Sequence, residues 1–393
     1  MDAPTPKNIL RGHKTQVHSA RFIRRNSRLV TGDSEGFVIL WDLATMRPTA
    51  VWQAHTKPVL AVQDWGPERL ITQLAEADEI ALSKEPPLNA LPELRPKPWV
   101  EFVLPVNSMN FCAFSACDSN PLNTHTHDIG YASEIYLATP NALQLEGIDI
   151  FHIPSNSRKH TVKAADNAGM VMATALGYDA GLLTLAAGYE NGQVTLSRRA
   201  SDETTWSLVY TCTVHAQPVL SLQVSPDRTF FVTSGVDAVL AKHPIPTGPH
   251  SQVATAPLRV VNTKHAGQQG LDIRSDGKVL ATGGWDSRGR VYSCKTLKEL
   301  AVLKWHDVGC YAAGFATISP PQSRQATNMQ KELGLLAQGN DESTSQKTEA
   351  SSVRPAARSS LVSVRDRRIM QAREGHWLAL GGKDGRVSLW DVF

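Results

Sequence analysis

No two cysteines in this chain are spaced C-x-x-C, and the five that occur (Cys112, Cys117, Cys212, Cys294 and Cys310) are scattered and odd in number. That argues against a zinc site and a disulfide framework, and fits free thiols in a reducing compartment. The N-terminal MDAPTPKN has no apolar h-region, so no secretory signal is expected. Long apolar runs are missing too. The most apolar window, AGMVMATALGYDAGLLTLAAGY (168–189), is broken by Asp179 and rich in Gly and Thr. A membrane span needs about 20 predominantly apolar residues, so this window reads as two strands around a YDAG turn. Neither sign of charge dominates: a formal +3 over 393 residues is too small to imply nucleic acid or membrane by charge alone. The expectation is an intracellular, soluble chain with no direct nucleic-acid or membrane partner.

Catalytic signatures are also missing. Gly277-Lys278 lacks the upstream glycine and following hydroxyl of a phosphate loop. No G-x-S-x-G elbow, H-E-x-x-H or paired-carboxylate motif stands out. The expectation is therefore no enzyme, no cofactor and no metal.

What the chain has is a repeat. Apolar residues make up 41% and charged residues 20%, enough for a substantial core, and repeat folds outgrow single-core limits because each unit packs on its neighbours. Residues 10–42, LRGHKTQVHSARFIRRNSRLVTGDSEGFVILWD, open with Gly12-His13 and close with Trp41-Asp42. The last residues, WLALGGKDGRVSLWDVF (377–393), repeat the second half as an alternating strand, a Gly-rich turn, an alternating strand and Trp390-Asp391. Residues 17–22 alternate with period 2, and Leu29–Thr31 and Phe37–Trp41 form two further strands around the GDSEG turn. This pattern resembles the WD40 repeat, about 40–45 residues and four strands per unit. The resemblance implies a side-chain network in each unit: the GH histidine, a Ser/Thr on the second strand, a turn acid and the WD tryptophan. In the first unit these are His13, Thr31, Glu35 (a Glu where Asp is usual) and Trp41. In the last, the turn acid is Asp384 and the indole is Trp390. The histidines are thereby assigned structural roles.

The template divides the chain into seven units, an all-β, seven-bladed WD40 β-propeller occupying residues 1–393 as one domain. His55 opens the second. VEFVLPVNSMNFCAFS (100–115), EIYLATP (134–140) and EGIDIFHIP (146–154) supply the third, and 169–178, 182–197 and 206–214 the fourth. His215 opens the fifth, with Asp237 at its turn. His265 opens the sixth, with Asp286 at the turn and Tyr292 replacing Trp. His306 opens the seventh. Departures are expected at Ala77 (turn acid) and Ser83 (Trp) in the second unit, at Phe151 near the Trp position in the third, and at Asn191 and Ser197 in the fourth. The segment KNILRGH (7–13) has the length of an outer strand, and is expected to pair with Val387–Val392 and close the ring.

Two insertions interrupt the repeat. Residues 116–133 form a loop insertion in the third unit; its His125, His127 and Asp128 lack a second ligand pair, so a solvated loop is favoured over a metal site. Residues 319–372 form a low-complexity insertion in the seventh, expected to be disordered or weakly helical. There Arg354, Arg358, Arg365, Arg367, Arg368 and the adjacent Arg373 stand against Asp366, either as a solubilising loop or as a contact for a phosphate or acidic partner. The Pro-rich KEPPLNALPELRPKPW (84–99) reads as a stiff connector or docking segment.

The first unit, with VWQAHTKPVLAVQDWGPERLIT (51–72) and GGKDGRVSLWDVF (381–393), resembles the fungal ASTRA-associated protein 1 family, whose animal relative is the guanine nucleotide-binding protein β-subunit-like protein 1. The resemblance implies a non-enzymatic scaffold subunit of the ASTRA assembly, nuclear and partly cytoplasmic. Its implied partners are the Tel-two protein and its interacting proteins, with links to chromatin remodelling and to maturation of phosphatidylinositol-3-kinase-related kinases. Two other classes stand beside it. A peptide or histone-tail reader uses a channel mouth, and a propeller hydrolase needs convergent acids or a metal there.

Overall fold

Short β-branched and aromatic runs punctuated by Gly- and Asp-rich turns make the regular structure of the described residues almost wholly β. The computed structural model describes residues 4–66, 68–74, 100–107, 110–123, 129–164, 167–200, 205–247, 252–318 and 364–392. Among them are seven antiparallel sheets, six four-stranded and one two-stranded, of the propeller-blade type. Sheet 1 runs β2 (Val17–Ile23), β3 (Arg28–Asp33), β4 (Phe37–Asp42), β5 (Arg47–Gln53). Sheet 2 shows β6 (Val59–Trp65) and β7 (Arg69–Leu74). Sheet 3 is β8 (Ser115–Asp118), β9 (Ile135–Pro140), β10 (Gly147–Ile153) and β11 (Ser157–Lys163). Sheet 4 is β12 (Val171–Asp179), β13 (Leu182–Tyr189), β14 (Gln193–Arg199) and β15 (Trp206–Thr213). Sheet 5 is β16 (Val219–Val224), β17 (Phe230–Gly235), β18 (Val239–Pro244) and β19 (Arg259–Asn262). Sheet 6 is β20 (Gln268–Ile273), β21 (Val279–Gly284), β22 (Arg288–Ser293) and β23 (Glu299–Lys304). Sheet 7 joins β24 (Cys310–Phe315), β25 (Trp377–Gly382) and β26 (Arg386–Asp391) to β1 (Asn8–Arg11), from the other end of the chain.

Sequence pattern follows depth. The second strands β17, β21 and β25 are buried at every position, because a neighbouring sheet covers each face. WLALGG, expected to alternate, is therefore a run of apolar and small residues with no solvent face. The outer strands β19 and β23 are largely exposed. The 168–189 window is β12 and β13, paired Asp179 to Leu182 around Ala180-Gly181, both left-handed (φ 48° and 78°) as a tight hairpin requires.

Hydrophobic cores lie between sheets, not within them. One joins sheets 1 and 2 (Val30 and Val38 with Val59 and Val62) and another sheets 2 and 3 (Trp65 with Ile135 and Phe151). Others join 3 and 4, 4 and 5, 5 and 6, and 6 and 7. The remaining core sets Leu10, Ala379, Val387 and Leu389 of sheet 7 against Val17, Leu29, Ile39 and Trp41 of sheet 1. The last sheet thus meets the first as consecutive sheets meet. A turn glycine repeats the point. Gly36 (φ 83°) abuts the backbone of His55, at the start of the next unit, so closely that a Cβ would run into its carbonyl oxygen. Gly385 (φ 72°) stands in the same way against the carbonyl of His13.

Several expectations are corrected. β1 pairs with Arg386–Leu389, not with the full Val387–Val392; Val392 instead bonds His376 and receives the Arg274 guanidinium. The first strand of sheet 3 is Ser115–Asp118, not 100–115, so residues 116–118 belong to the sheet and not to a loop insertion, and β11 is an outer strand the template had not assigned. Residues 364–374 of the second insertion, and just beyond it, form helix α1 (Val364–Glu374). Ala77, Ser83, His125, His127, Asp128, all of 84–99 and most of 319–372 lie outside the described residues.

Candidate functional site

In sheet 1, the loop before β2 lays His13 across the ends of β3 and β4. Its Nδ1 stands 2.7 Å from Asp33 Oδ2 and its Nε2 2.7 Å from Thr31 Oγ1, which accepts the Trp41 indole N–H at 2.9 Å. A hydroxyl, an imidazole and a carboxylate in line is the layout of a nucleophilic triad. Here the hydroxyl already serves Trp41 and Thr31 is fully buried, so no substrate reaches it. The chain holds strands together.

The turn acid is Asp33, not Glu35. Glu35 meets the network through its backbone N–H, donated to Asp33, while its carbonyl accepts from the Gln53 amide. Asp237, Asp286 and Asp384 each sit two residues beyond a strand-ending glycine (Gly235, Gly284, Gly382). A Cβ at Gly382 would press on His306 and on the Asp384 carboxylate. Sheet 1 puts the acid itself in that space, and the residue two further on is displaced from the network.

Other sheets solve the same problem with different atoms. In sheet 5, His215 is held by Asp237 (2.9 Å) and Thr233 (2.8 Å), and the indole is replaced by His243. His243 faces Phe231 across the ladder as Trp41 faces Leu29, bonds Thr233 and the Tyr210 hydroxyl (both 2.8 Å), and stacks on Phe231. In sheet 7 the hydroxyl is Ser388, 2.9 Å from His306 and 2.8 Å from the Trp390 N–H, while Asp384 stands 3.4 Å from the same imidazole. Sheet 6 dispenses with the histidine: Gln268 Oε1 accepts from Thr282 (2.7 Å) and Tyr292 (3.0 Å). His265, expected there, is half-exposed and stands 3.7 Å from Asp286, which Arg290 holds at 2.9 Å. Burial alone would raise the Asp286 carboxyl, but the Arg290 bond and charge bring it below the usual range. Sheet 2 keeps His55 to Thr72 (2.8 Å). In sheet 3 Asp149 collects Asn141 (3.0 and 2.9 Å) and Thr161 (2.7 Å), and Phe151 fills the indole position opposite Leu137. Ser197 takes that position in sheet 4, opposite Leu185.

Burial holds two of these histidines neutral, His55 down to about 4 and His243 to about 3. The unfolded chain binds these protons near pH 6.5 and the folded chain only far lower, so stability is full above pH 6.5 and is lost as pH falls towards 4. Melting temperature is expected to drop steadily from pH 6.5 to 4.5; a flat profile over that range would contradict the neutral, buried assignment.

The first strands of sheets 1, 2, 4, 5, 6 and 7, with Phe111–Phe114 before β8, line a cavity of about 230 Å³. Phe111 is mostly exposed at its wall. The expected arginine cluster is reached only in part: Arg354 and Arg358 lie outside the described residues, Arg365 is placed in α1 by its backbone, and Arg367, Arg368 and Arg373 are exposed on it.

Residues 6–390 match the family model described as ASTRA-associated protein 1. Relatives of that name are 49% identical in Verticillium alfalfae, covering 100% of this chain and 94% of the relative, and 41% identical in Pyricularia oryzae, covering 99% and 97%. The Schizosaccharomyces pombe relative is 33% identical over 80% of this chain and 94% of its own length.

Proposed function

The chain belongs to the ASTRA-associated protein 1 family, and from that premise we propose that it is a non-enzymatic docking subunit of the ASTRA assembly, built as a closed seven-bladed WD40-type propeller. The observation that carries this reading is the end-to-end family match over residues 6–390. Physical support comes from where the chemistry-bearing side chains go. His13, His55, His215, His243 and His306 are all bonded to a hydroxyl on a strand, which leaves surface, not a reacting centre, as the functional asset. The core shared by sheets 7 and 1 supports closure.

On this reading the partners are the Tel-two protein and its interacting proteins, the site of action is the nucleus with a cytoplasmic fraction, and the downstream processes are chromatin remodelling and maturation of phosphatidylinositol-3-kinase-related kinases. Tagging the chain at its native locus and identifying co-purifying proteins by mass spectrometry is expected to recover the other ASTRA subunits in near-equal amounts. Recovery of the tagged chain without them would remove the proposal. A tail-peptide reader is favoured by one feature, the exposed Phe111 with Tyr311 on the cavity wall; tight binding of short histone-tail peptides, lost on Phe111→Ala, would turn the assignment that way.

A further inference from the structure

The tip of the β2–β3 hairpin does something the repeat does not require. Arg24, Arg25 and Asn26 are consecutive left-handed residues (φ 52°, 51° and 58°), a run that side chains other than Gly or Asn rarely adopt. It buries Asn26 and leaves both arginines exposed. The Asn26 amide then clasps two distant parts of the chain. Its Nδ2 donates to the Thr317 carbonyl (2.6 Å) and the Arg373 carbonyl (3.1 Å), and its Oδ1 accepts the Thr317 N–H (3.0 Å). Thr317 precedes the long insertion and Arg373 follows it, so one side chain of sheet 1 ties both stems of an excursion in sheet 7.

The clasp carries a consequence for charge. In helix α1, VRDRRIMQARE, Ala372 is buried and Ile369 half-buried, and the other described side chains are exposed. A short helix of that kind is not stable on its own. It is held at its C-terminal turn, by Asn26 and by the Trp377 indole N–H donated to the Ala372 carbonyl (3.1 Å). The Asn26 bond brings the Arg373 backbone to the hairpin tip that carries Arg24 and Arg25, some 350 positions away in sequence. Arg367 and Arg368 lie on the same helix, one to two turns before Arg373. All five are exposed, and no ion pair among the described residues uses them. The carboxylates nearby are Asp366 and Glu374 on α1 itself. Apolar groups are interspersed: Met370 and Val364 on the helix are exposed, and Tyr131 lies under the Arg25 guanidinium at 5.5 Å.

We propose that the Arg24–Arg25 hairpin tip and helix α1, locked together by Asn26, form a docking surface for an acidic peptide segment of a protein partner, one carrying Asp and Glu with apolar residues between them. Guanidinium groups pair carboxylates through two parallel bonds, and the exposed Met370, Val364 and Tyr131 give the apolar side chains a place to sit. A phosphate backbone fits less well, since it favours an unbroken stripe of cations and would meet Asp366 and Glu374. The proposal rests on the docking reading but not on which assembly the chain joins. Its test uses purified protein alone, so its failure leaves ASTRA membership where it was.

Fluorescence anisotropy on the full chain would use three labelled probes: a short peptide of Glu, Asp and Leu, its Gln/Asn counterpart, and a single-stranded oligouridine of equal charge. The acidic peptide is expected to bind, to weaken with rising salt, and to lose about tenfold or more in affinity in R24N/R25N and in R367A/R368A. Asn replaces the hairpin arginines because it tolerates the left-handed backbone. Asn26→Gly keeps that backbone and removes only the clasp, and it is expected to weaken binding as much as either arginine pair. Equal binding of the Gln/Asn peptide, tighter binding of oligouridine, or an Asn26→Gly variant that binds like the parent would each overturn the proposal.

Discussion

Removing residues 1–11 is expected to lower the melting temperature by about 5–10 °C and to make the protein self-associate. The segment is small, but it stands where the two ends of the chain meet. Leu10 is 2% exposed and belongs to the core shared by sheets 7 and 1, and its loss costs about 2 kcal/mol of apolar burial. The ladder from Asn8–Leu389 to Arg11–Arg386, extended by the Lys7 N–H to the Leu389 carbonyl at 2.8 Å, adds backbone bonds of about 1 kcal/mol each. The total is on the order of 5 kcal/mol, and in a chain of this size each kcal/mol moves the midpoint by roughly 1–2 °C. The truncation also turns β26 into an open edge, with Val387 and Leu389 no longer covered. Calorimetry and size-exclusion chromatography read the two effects. A peptide of residues 4–13 added in trans is expected to restore part of the loss. An unchanged melt would rule out this strand as a stabilising element of the seventh sheet.

Much of this architecture was legible because period and punctuation carry it. Gly12-His13 with Trp41-Asp42, and the terminal Trp390-Asp391, mark units whose strands fall within a few residues of the expected ones. The N-terminal strand was foreseen by its length alone, though not its register on β26. What was not legible is the identity of the network atoms. His243 reads as a lone histidine at a strand end until the ladder puts it opposite Phe231, in the position of Trp41. Gln268 in place of His265 is invisible for the same reason: only the register shows which side chain reaches Thr282. The Asp33 and Glu35 exchange was decided by space, since the strand-ending position is glycine in sheets 5, 6 and 7 and an acid only in sheet 1. The basic patch was half visible. Clustered arginines in 354–373 are a compositional signal, but nothing in sequence ties the end of helix α1 to the Arg24–Arg25 tip; that tie is the bond from the buried Asn26 to the Arg373 carbonyl.

Replacing Thr31 by Val is expected to cost about 3 kcal/mol, although the side chain keeps its shape. The hydroxyl is shared by His13 and Trp41, which are 8% and 1% exposed, so its removal strands the indole N–H and one imidazole nitrogen away from water. An unpaired buried group costs about 1–3 kcal/mol, and two share the loss here. Thr31→Ser keeps the bond and gives up one methyl, about 1 kcal/mol. Denaturant melts separate the two; equal costs would mean that packing, not the hydroxyl, is what Thr31 supplies. Sheet 7 allows a sharper form of the test. Thr31 faces Ile39 across its ladder, and the equivalent pair is Leu380 and Ser388, so the hydroxyl has moved to the opposite strand without leaving the network. Ser388→Val should therefore be damaging for the reason that Thr31→Val is, by stranding Trp390 and His306. Leu380→Thr destabilises the parent by losing burial and is expected to destabilise the Ser388→Val background less, because it returns a hydroxyl from the position Thr31 occupies in sheet 1. A coupling of that sign, on the order of 1 kcal/mol, follows if the two sheets are registered alike around a common polar centre, and strictly additive costs would show that they are not.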